Sequence, residues 1–384
     1  MTTHTLPKCD SSPSLYLHIP FCRSKCPYCD FYSQVADQAQ LNNYVDLLLQ
    51  HLAWLSDNQA FTAPLGTVFF GGGTPSLLAP SQVDAILQQL QRTVGLTSAV
   101  EISLEANPGT VNLAHLQGYR DAGVNRLSFG IQSLQAGALY LLGRGHSTKD
   151  AVQAVAWSRE AGFGNIGCDL MFGLPGQGRD DLLQDITALI KLQPDHLSCY
   201  GLTVEAGTPF AQRDLKLPEE EEFAELYLTV HEQLTGAGFE HYEISNYARP
   251  GHHCRHNLAY WRRQTCFAVG AGAHSFSAVD YGWRREVPAD LERYRKRLSQ
   301  GQDPVVTLET FDRQGAMAET LYLGLRCREG VHDDAFRLHF GLGVAEAFPE
   351  AVRRCGERLS LDAGYWRFDL QGWLLYDHFI SFFL

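Results

Sequence analysis

Leu15-Tyr-Leu-His-Ile-Pro-Phe-Cys22-Arg-Ser-Lys-Cys26-Pro-Tyr-Cys29-Asp-Phe31 joins a short apolar run to three closely spaced cysteines. Three and two residues separate the thiols, so one tight loop can hold all of them. Thiolates bind iron–sulfur clusters, and a cubane cluster takes four ligands, so three cysteines would leave one iron open. A zinc site is the other interpretation. It usually takes four protein ligands, and no fourth is evident, although His18 is near.

Around this loop, strand-like runs alternate with amphipathic helical stretches. The predicted strands are 15–19, 67–70, 100–104, 126–131, 166–172 and 196–202, and the predicted helices are 41–55, 81–92, 113–122, 148–161 and 180–192. Ser81 and Thr148 are the expected N-caps of two helices. Because parallel strands need a crossover helix, the pattern predicts an α/β protein with a partial (β/α)6 TIM-like barrel. An open doubly wound sheet is the alternative.

The pattern changes after residue 205, which predicts three domains. The barrel is expected over 1–205, a barrel-closing extension with a His-rich loop over 206–300, and a small, mostly helical, winged-helix-like domain over 301–384. The last stretch, RFDLQGWLLYDHFISFFL (367–384), is predicted to form a hairpin that turns at Gly372-Trp373.

Charge and composition narrow the class of partner. The net charge of −12 argues against nucleic-acid binding, because phosphate contacts need clustered Lys and Arg. The N-terminus lacks the basic and apolar runs of a secretory signal, and no apolar run reaches the length of a membrane span. We therefore expect a cytoplasmic protein whose membrane contact is at most peripheral.

Two further features suit a small polar ligand. Gly71-Gly72-Gly73-Thr74-Pro75 follows a predicted strand, where glycines allow close approach of backbone to ligand, although a tight turn alone would also explain them. A polar set lies near the ends of the next units: Glu105, Gln132, Arg144 and Asp169. A zwitterionic sulfonium nucleoside needs such carboxylates and a cation. Each residue alone is more often a helix cap or a surface pair.

Six segments, in order, resemble the oxygen-independent coproporphyrinogen III dehydrogenase-like superfamily of radical S-adenosylmethionine (SAM) proteins. They are residues 15–31, FFGGGTPS (69–76), SLEANP (103–108), GVNRLSFGIQSL (123–134), LGRGH (142–146) and IGCDLMFGLPGQ (166–177). The resemblance implies a [4Fe–4S] cluster on Cys22, Cys26 and Cys29, with SAM at the open iron. It also implies a set of SAM contacts: Tyr16, Tyr28, Gly72, Gly73, Thr74, Glu105, Gln132, Arg144, Asp169 and, as a further transfer, Thr203.

Two departures separate this chain from the dehydrogenases of that superfamily. Phe31 stands where they carry a fourth cysteine, and Cys22 lies nearer the chain start than their N-terminal extension would allow. Both features resemble the heme-chaperone branch, whose HNxxYW signature occurs here from His256 to Trp261. The resemblance implies heme contacts from His256, Asn257, Tyr260 and Trp261.

The physical case for that signature leaves the iron ligand open. Neutral imidazole binds iron and aromatic rings offer flat faces to a porphyrin, but a buried histidine could simply cap a carbonyl. His252, His253 and Cys254 are rival ligands, and His274 is expected to line a cavity.

The expected function is that of a heme chaperone, which binds heme and transfers it to acceptor proteins such as membrane cytochromes, and which carries the cluster with exchangeable SAM. A homodimer is compatible with the resemblance. The alternative is a radical SAM oxidoreductase that acts on a tetrapyrrole. Enzymatic activity is left open: we assign no catalytic residue, and do not expect an active coproporphyrinogen III oxidase.

Overall fold

The computed structural model describes residues 12–384, so most of the N-terminal stretch considered for a secretory signal lies outside the described residues. The strands up to residue 310 are β1 (Ser14–Ile19), β2 (Phe21–Cys22), β3 (Gln34–Val35), β4 (Leu65–Gly72), β5 (Leu96–Ala106), β6 (Arg126–Gln132), β7 (Ile166–Phe172), β8 (His196–Gly201), β9 (Glu240–Glu243), β10 (Asn246–Ala248), β11 (Cys266–Val269), β12 (His274–Ser277), β13 (Trp283–Glu286) and β14 (Val306–Thr310). The α-helices of the same region are α1 (Gln38–Asp57), α2 (Pro80–Thr93), α3 (Leu113–Ala122), α4 (Ala136–Leu141), α5 (Thr148–Glu160), α6 (Arg179–Lys191), α7 (Glu220–Gly236), α8 (Arg255–Trp261) and α9 (Leu291–Ser299).

One twelve-stranded sheet carries the barrel, in the order β14-β13-β12-β11-β1-β4-β5-β6-β7-β8-β10-β9. From β1 through β4 to β8 the neighbours are parallel and follow the chain order. A doubly wound sheet would instead reverse its strand order at a switch point. The prediction of a partial barrel is therefore confirmed, and the carboxyl ends of these six strands share one face.

The predicted strands and helices of the barrel agree with the structure to within a few residues, but the caps do not. The Ser147 hydroxyl accepts the Asp150 N–H and caps α5, whereas the Thr148 hydroxyl donates to the Leu134 carbonyl at 2.9 Å. Ala79, not Ser81, precedes α2, whose first residue is Pro80. Both predicted caps were wrong. In α5 the capping side chain lies one residue earlier, at Ser147, and in α2 the helix already begins at Pro80.

The segment that follows the barrel strands adds strands to both edges of the sheet. β9 and β10 add antiparallel strands next to β8, while β11 pairs in parallel with β1 on the other side. The His-rich stretch between them is not entirely a loop, because residues 255–261 form the short helix α8. The HNxxYW residues are therefore held on a helix rather than on a loop as predicted.

The C-terminal part has an apolar core of its own and is mostly helical. Its elements are α10 (Arg313–Gly324), β15 (Val331–His332), α11 (Asp333–Phe340), α12 (Val344–Ala347), α13 (Pro349–Cys355), β16 (Leu359–Asp362), β17 (Tyr365–Phe368), α14 (Leu370–Leu374) and α15 (Tyr376–Ile380). The predicted hairpin turn at Gly372-Trp373 is wrong. The strands β16 and β17 turn at Ala363-Gly364, and the Asp369 carboxylate accepts the Gly372 N–H at 2.6 Å and caps α14. The boundaries of the three domains stay a prediction.

Within residues 12–384, every helix is too short or too polar to cross a lipid bilayer.

Candidate functional site

The three clustered cysteines lie on the loop that follows β1. Cys22 ends β2, Cys26 and Cys29 follow it, and all three are partly exposed free thiols. The Cys29 N–H donates to the Cys26 carbonyl at 3.2 Å and tightens the loop. Among residues 12–384, no three His, Cys, Asp or Glu side chains converge as a metal ion would require. Cubane ligands each bind a different iron and need not converge on one point, so the loop suits a cluster better than zinc.

The glycine loop after β4 packs directly against the first cysteine. A Cβ atom on Gly73 would lie 2.6 Å from the Phe21 carbonyl oxygen and 2.9 Å from Cys22 Sγ, so only glycine fits there. The Thr74 hydroxyl donates to Cys22 Sγ at 3.4 Å. Gly72 has φ of +115°, and its N–H donates to Glu105 Oε2 at 3.2 Å. The loop therefore joins the cysteines to the polar set on the next strand.

Two partly buried carboxyl groups form the centre of that polar set. Burial, and then the nearby Asp169, raise the pKa of Glu105 to about 8. Burial also raises the pKa of Asp169, to about 6, against the opposing effect of hydrogen bonds from Ser198 and Ser128. A cationic ligand would stabilise both charged forms, because an opposite charge lowers the pKa of a carboxyl group.

Arg144 and Gln132 each carry a polar atom with no hydrogen-bond partner among residues 12–384. Arg144 Nη1 lies 3.4 Å from both Cys26 Sγ and Tyr28 Oη, while Arg144 Nε and Gln132 Oε1 are buried without a hydrogen bond in this described part of the chain. Gln132 also has φ of +69°, a conformation that non-glycine residues seldom adopt. Buried polar atoms normally find a partner, so these residues fit a bound polar ligand. The residues present thus suit both the cluster and SAM.

A cavity of about 630 Å³ opens inside the barrel, within the size range of cofactor sites. It brings together residues from both predicted sets, namely Tyr16, Glu105, Asp169, His256, Asn257, Tyr260 and Trp261, and His274 also lines it. Thr203, by contrast, is exposed beyond β8 and does not line the cavity. One chamber therefore adjoins the HNxxYW helix and three of the predicted SAM residues, whereas Tyr28, Gly72, Gly73, Thr74, Gln132 and Arg144 do not line it.

His256 is held by two neighbouring strands of the barrel, β4 and β5. Its Nδ1 lies 2.8 Å from Thr67 Oγ1, and its ring stacks on Phe69 with 4.9 Å between centroids. Two oxygens of the buried Glu101 carboxylate accept the backbone N–H groups of Arg255 and His256, each at 3.0 Å. Burial lowers the pKa of His256 to about 3, so the imidazole is neutral and Nε2 is the nitrogen left for a ligand.

The rival ligands are placed less favourably. His253 Nε2 lies 2.8 Å from Glu240 Oε2, and its ring stacks on Tyr242. Cys254 is buried with Sγ 3.7 Å from Glu101 Oε1. Neither these two residues nor His252 line the cavity. The geometry therefore favours His256 over its neighbours.

Sequence reasoning missed three polar residues that point into the barrel: Thr67, Glu101 and Arg126. Glu101 lies on β5 and Arg126 on β6, and both are at most 7 % exposed. The spacing along the strands could have revealed two of them, because Glu101 precedes Glu105 by four residues and Arg126 precedes Ser128 by two. Side chains two residues apart on a strand share one face.

Comparisons with known proteins place this architecture in a class. The Radical SAM superfamily profile matches residues 16–189, and the HemN C-terminal domain profile matches residues 311–375. The solved structure of coproporphyrinogen III oxidase (HemN) from Escherichia coli superposes with a TM-score of 0.85, covering 97 % of this chain and 90 % of that one at 22 % identity. The fold is thus that of the HemN-like radical SAM proteins.

Closer relatives define the family within that class. Three of them are named heme chaperone HemW. The proteins from Haemophilus influenzae and Escherichia coli are each 41 % identical to this chain, and each alignment covers 68 % of this chain and 69 % of the relative. The protein from Bacillus subtilis is 34 % identical, over 90 % of this chain and 91 % of the relative. The chain belongs to the HemW family. Membership in the radical SAM superfamily implies a [4Fe–4S] cluster and SAM as cofactors.

Proposed function

We propose that the protein is a heme chaperone, which binds heme in the barrel cavity and transfers it to acceptor proteins. The observation that carries the proposal is the neutral His256 on the wall of a cavity that also adjoins three of the predicted SAM residues. Relatives that are named heme chaperones support it. Heme iron accepts a neutral imidazole as axial ligand.

In this proposal the side chains of α8 hold the porphyrin. His256 would bind iron through Nε2 while its Nδ1–H donates to Thr67, which fixes the tautomer and the ring plane. Tyr260 and Trp261 line the same cavity and offer aromatic faces to the macrocycle. Asn257, which follows His256 in α8, also lines the cavity and would supply a polar group.

The cofactor assignments belong to the same proposal. Cys22, Cys26 and Cys29 would hold the [4Fe–4S] cluster, which when bound supplies electrons to SAM. The contacts to SAM would come from the predicted set: Tyr16, Tyr28, Gly72, Gly73, Thr74, Glu105, Gln132, Arg144, Asp169 and Thr203. The two partly buried carboxyl groups would bind the cationic parts of the ligand, and Arg144 its carboxylate.

The partners and the domain organisation complete the proposal. Acceptors such as membrane cytochromes and a homodimer follow from the family resemblance, whereas the three-domain division follows from the change of sequence pattern after residue 205. A cytoplasmic location suits a chain with nine free cysteines among its described residues, since reducing compartments preserve thiols.

Anaerobic titration of the cluster-loaded protein with heme, followed by optical spectroscopy, tests the proposal. We expect stoichiometric binding that weakens in His256→Ala and persists in His253→Ala, because His253 is paired with Glu240 outside the cavity. Equal heme binding by His256→Ala would mean that a residue other than His256 binds the iron. Failure of the unmodified protein to bind heme, together with conversion of coproporphyrinogen III, would replace the chaperone proposal with the oxidoreductase.

A further inference from the structure

Arg126 is an unusual residue of the cavity wall. It begins β6, its side chain is 2 % exposed, and it is the one Arg or Lys among the residues that line the cavity. The other charged lining residues are acidic: Asp30, Glu105, Asp169 and Glu286. A ligand with an anionic group would therefore find one permanent cation in this chamber.

The guanidinium of Arg126 has unmet hydrogen-bonding capacity. Its Nε is buried without a hydrogen-bond partner in the described residues. The negative charges of Glu101 and Asp169 attract it. Both carboxylates have other donors: Glu101 accepts backbone N–H groups of α8, and Asp169 accepts the Ser128 hydroxyl at 3.3 Å. A buried charge without a direct partner is costly, so such groups are normally paired.

We propose that Arg126 binds a carboxylate of the ligand that occupies the barrel cavity, and that this carboxylate is a propionate of the heme. The inference rests on the proposed function, since it names the part of the cargo that this residue recognises. Five N–H donors in a planar fork match a carboxylate in a bidentate arrangement. His256 lines the same cavity, so iron and propionate would be bound within one chamber.

Heme and its dimethyl ester distinguish this role from general porphyrin binding. The ester keeps the iron and the macrocycle but removes both negative charges. We expect the cluster-loaded protein to bind heme about tenfold more tightly than the diester, because hydrogen bonds to a charged group are the stronger ones. Arg126→Met should bind both ligands equally, and Arg126→Lys should keep part of the preference. Arg179→Met, which removes an exposed arginine outside the cavity, is the matched control.

Each outcome decides between the possibilities. Equal affinity of the unmodified protein for heme and diester would overturn the assignment of Arg126 and leave the chaperone proposal standing, whereas no binding of either ligand would overturn the chaperone proposal itself. SAM also carries a carboxylate, so SAM binding is measured on the same variants. Loss of SAM binding in Arg126→Met with an unchanged preference for heme would assign the residue to SAM and overturn the proposal. If Arg126→Met does not fold, two other results still test the assignment of Arg126. They are the preference of the unmodified protein for heme over its diester and the reduction of that preference in Arg126→Lys.

Discussion

Thr67 Oγ1 and His256 Nδ1 lie 2.8 Å apart across the inside of the barrel, although 189 residues separate them in the chain. The contact ties the helix that carries the HNxxYW residues to the second parallel strand of the barrel. An imidazole that presents Nε2 to a metal carries its proton on Nδ1, and an oxygen acceptor fixes this tautomer. Thr67 is therefore placed to orient His256 without touching the ligand itself.

Replacing Thr67 by Val should loosen that orientation and weaken heme binding. Removing the hydrogen-bond partner of a metal-binding histidine changes metal affinity by roughly 10–100-fold. We expect a loss near the lower end of that range for Thr67→Val, with a changed optical spectrum of the bound heme. Thr67→Ser keeps the hydroxyl and should bind as the unmodified protein does. Identical spectra and affinities for Val and Ser would show that the hydroxyl has no such role.

Glu101 stabilises the same helix from its first turn. Its carboxylate accepts the N–H groups of Arg255 and His256, so Glu101→Ala removes the acceptor of both groups in the first turn of α8. We expect the free energy of unfolding to fall by about 2–4 kcal/mol, measured by urea denaturation. Glu232→Ala, at an exposed position of α7, should change stability by less than about 0.5 kcal/mol. A similar loss in both variants would contradict a specific role for Glu101.

Much of the barrel could be predicted because its strands and helices obey local rules. The predicted strand 166–172 matches β7 because its residues form a largely apolar run. The predicted helix 113–122 matches α3 because Gly123 ends it as a C-cap. The grouping of Tyr16, Glu105 and His256 in one cavity could not be predicted from spacing, because it depends on how α8 packs against β4 and β5. The C-terminal hairpin was misplaced because Gly372-Trp373 resembles a turn, whereas the Asp369 cap makes it helical.

The cluster assignment predicts a sharp dependence of iron content on the loop thiols. Cys26→Ala removes one of three protein ligands and should reduce bound iron from about four atoms per chain to nearly none after anaerobic reconstitution. Cys355→Ala is the matched control, because that thiol is buried in the core of the C-terminal part. Metal analysis and the visible absorption of both variants provide the measurement. Undiminished iron in Cys26→Ala would exclude this thiol as a ligand, and stoichiometric zinc would favour the zinc site.

Glu105 gives a prediction about pH, because its pKa is raised from 4.5 to about 8 by burial and by Asp169. In the unfolded chain the group regains its ordinary pKa, so the folded state binds the proton more tightly. Stability from this group is therefore fully present below pH 4.5 and is lost as the pH rises through 8. Glu105→Gln keeps an oxygen that can accept the Gly72 N–H but cannot ionise. It should match the unmodified protein in stability near pH 5 and exceed it by roughly 2–4 kcal/mol near pH 8.5.

Urea denaturation at the two pH values measures this difference, with both proteins cluster-loaded and free of SAM. Glu160→Gln, an exposed position at the end of α5, controls for the loss of one negative charge from an acidic chain and should show no such change with pH. The difference in stability between Glu105→Gln and the unmodified protein could instead stay constant from pH 5 to 8.5. That result would mean that Glu105 has the same pKa in the folded and the unfolded state, and it would contradict the prediction. Added SAM should reduce the advantage of Glu105→Gln at high pH, because a cationic ligand stabilises the ionised carboxylate that only the unmodified protein can form.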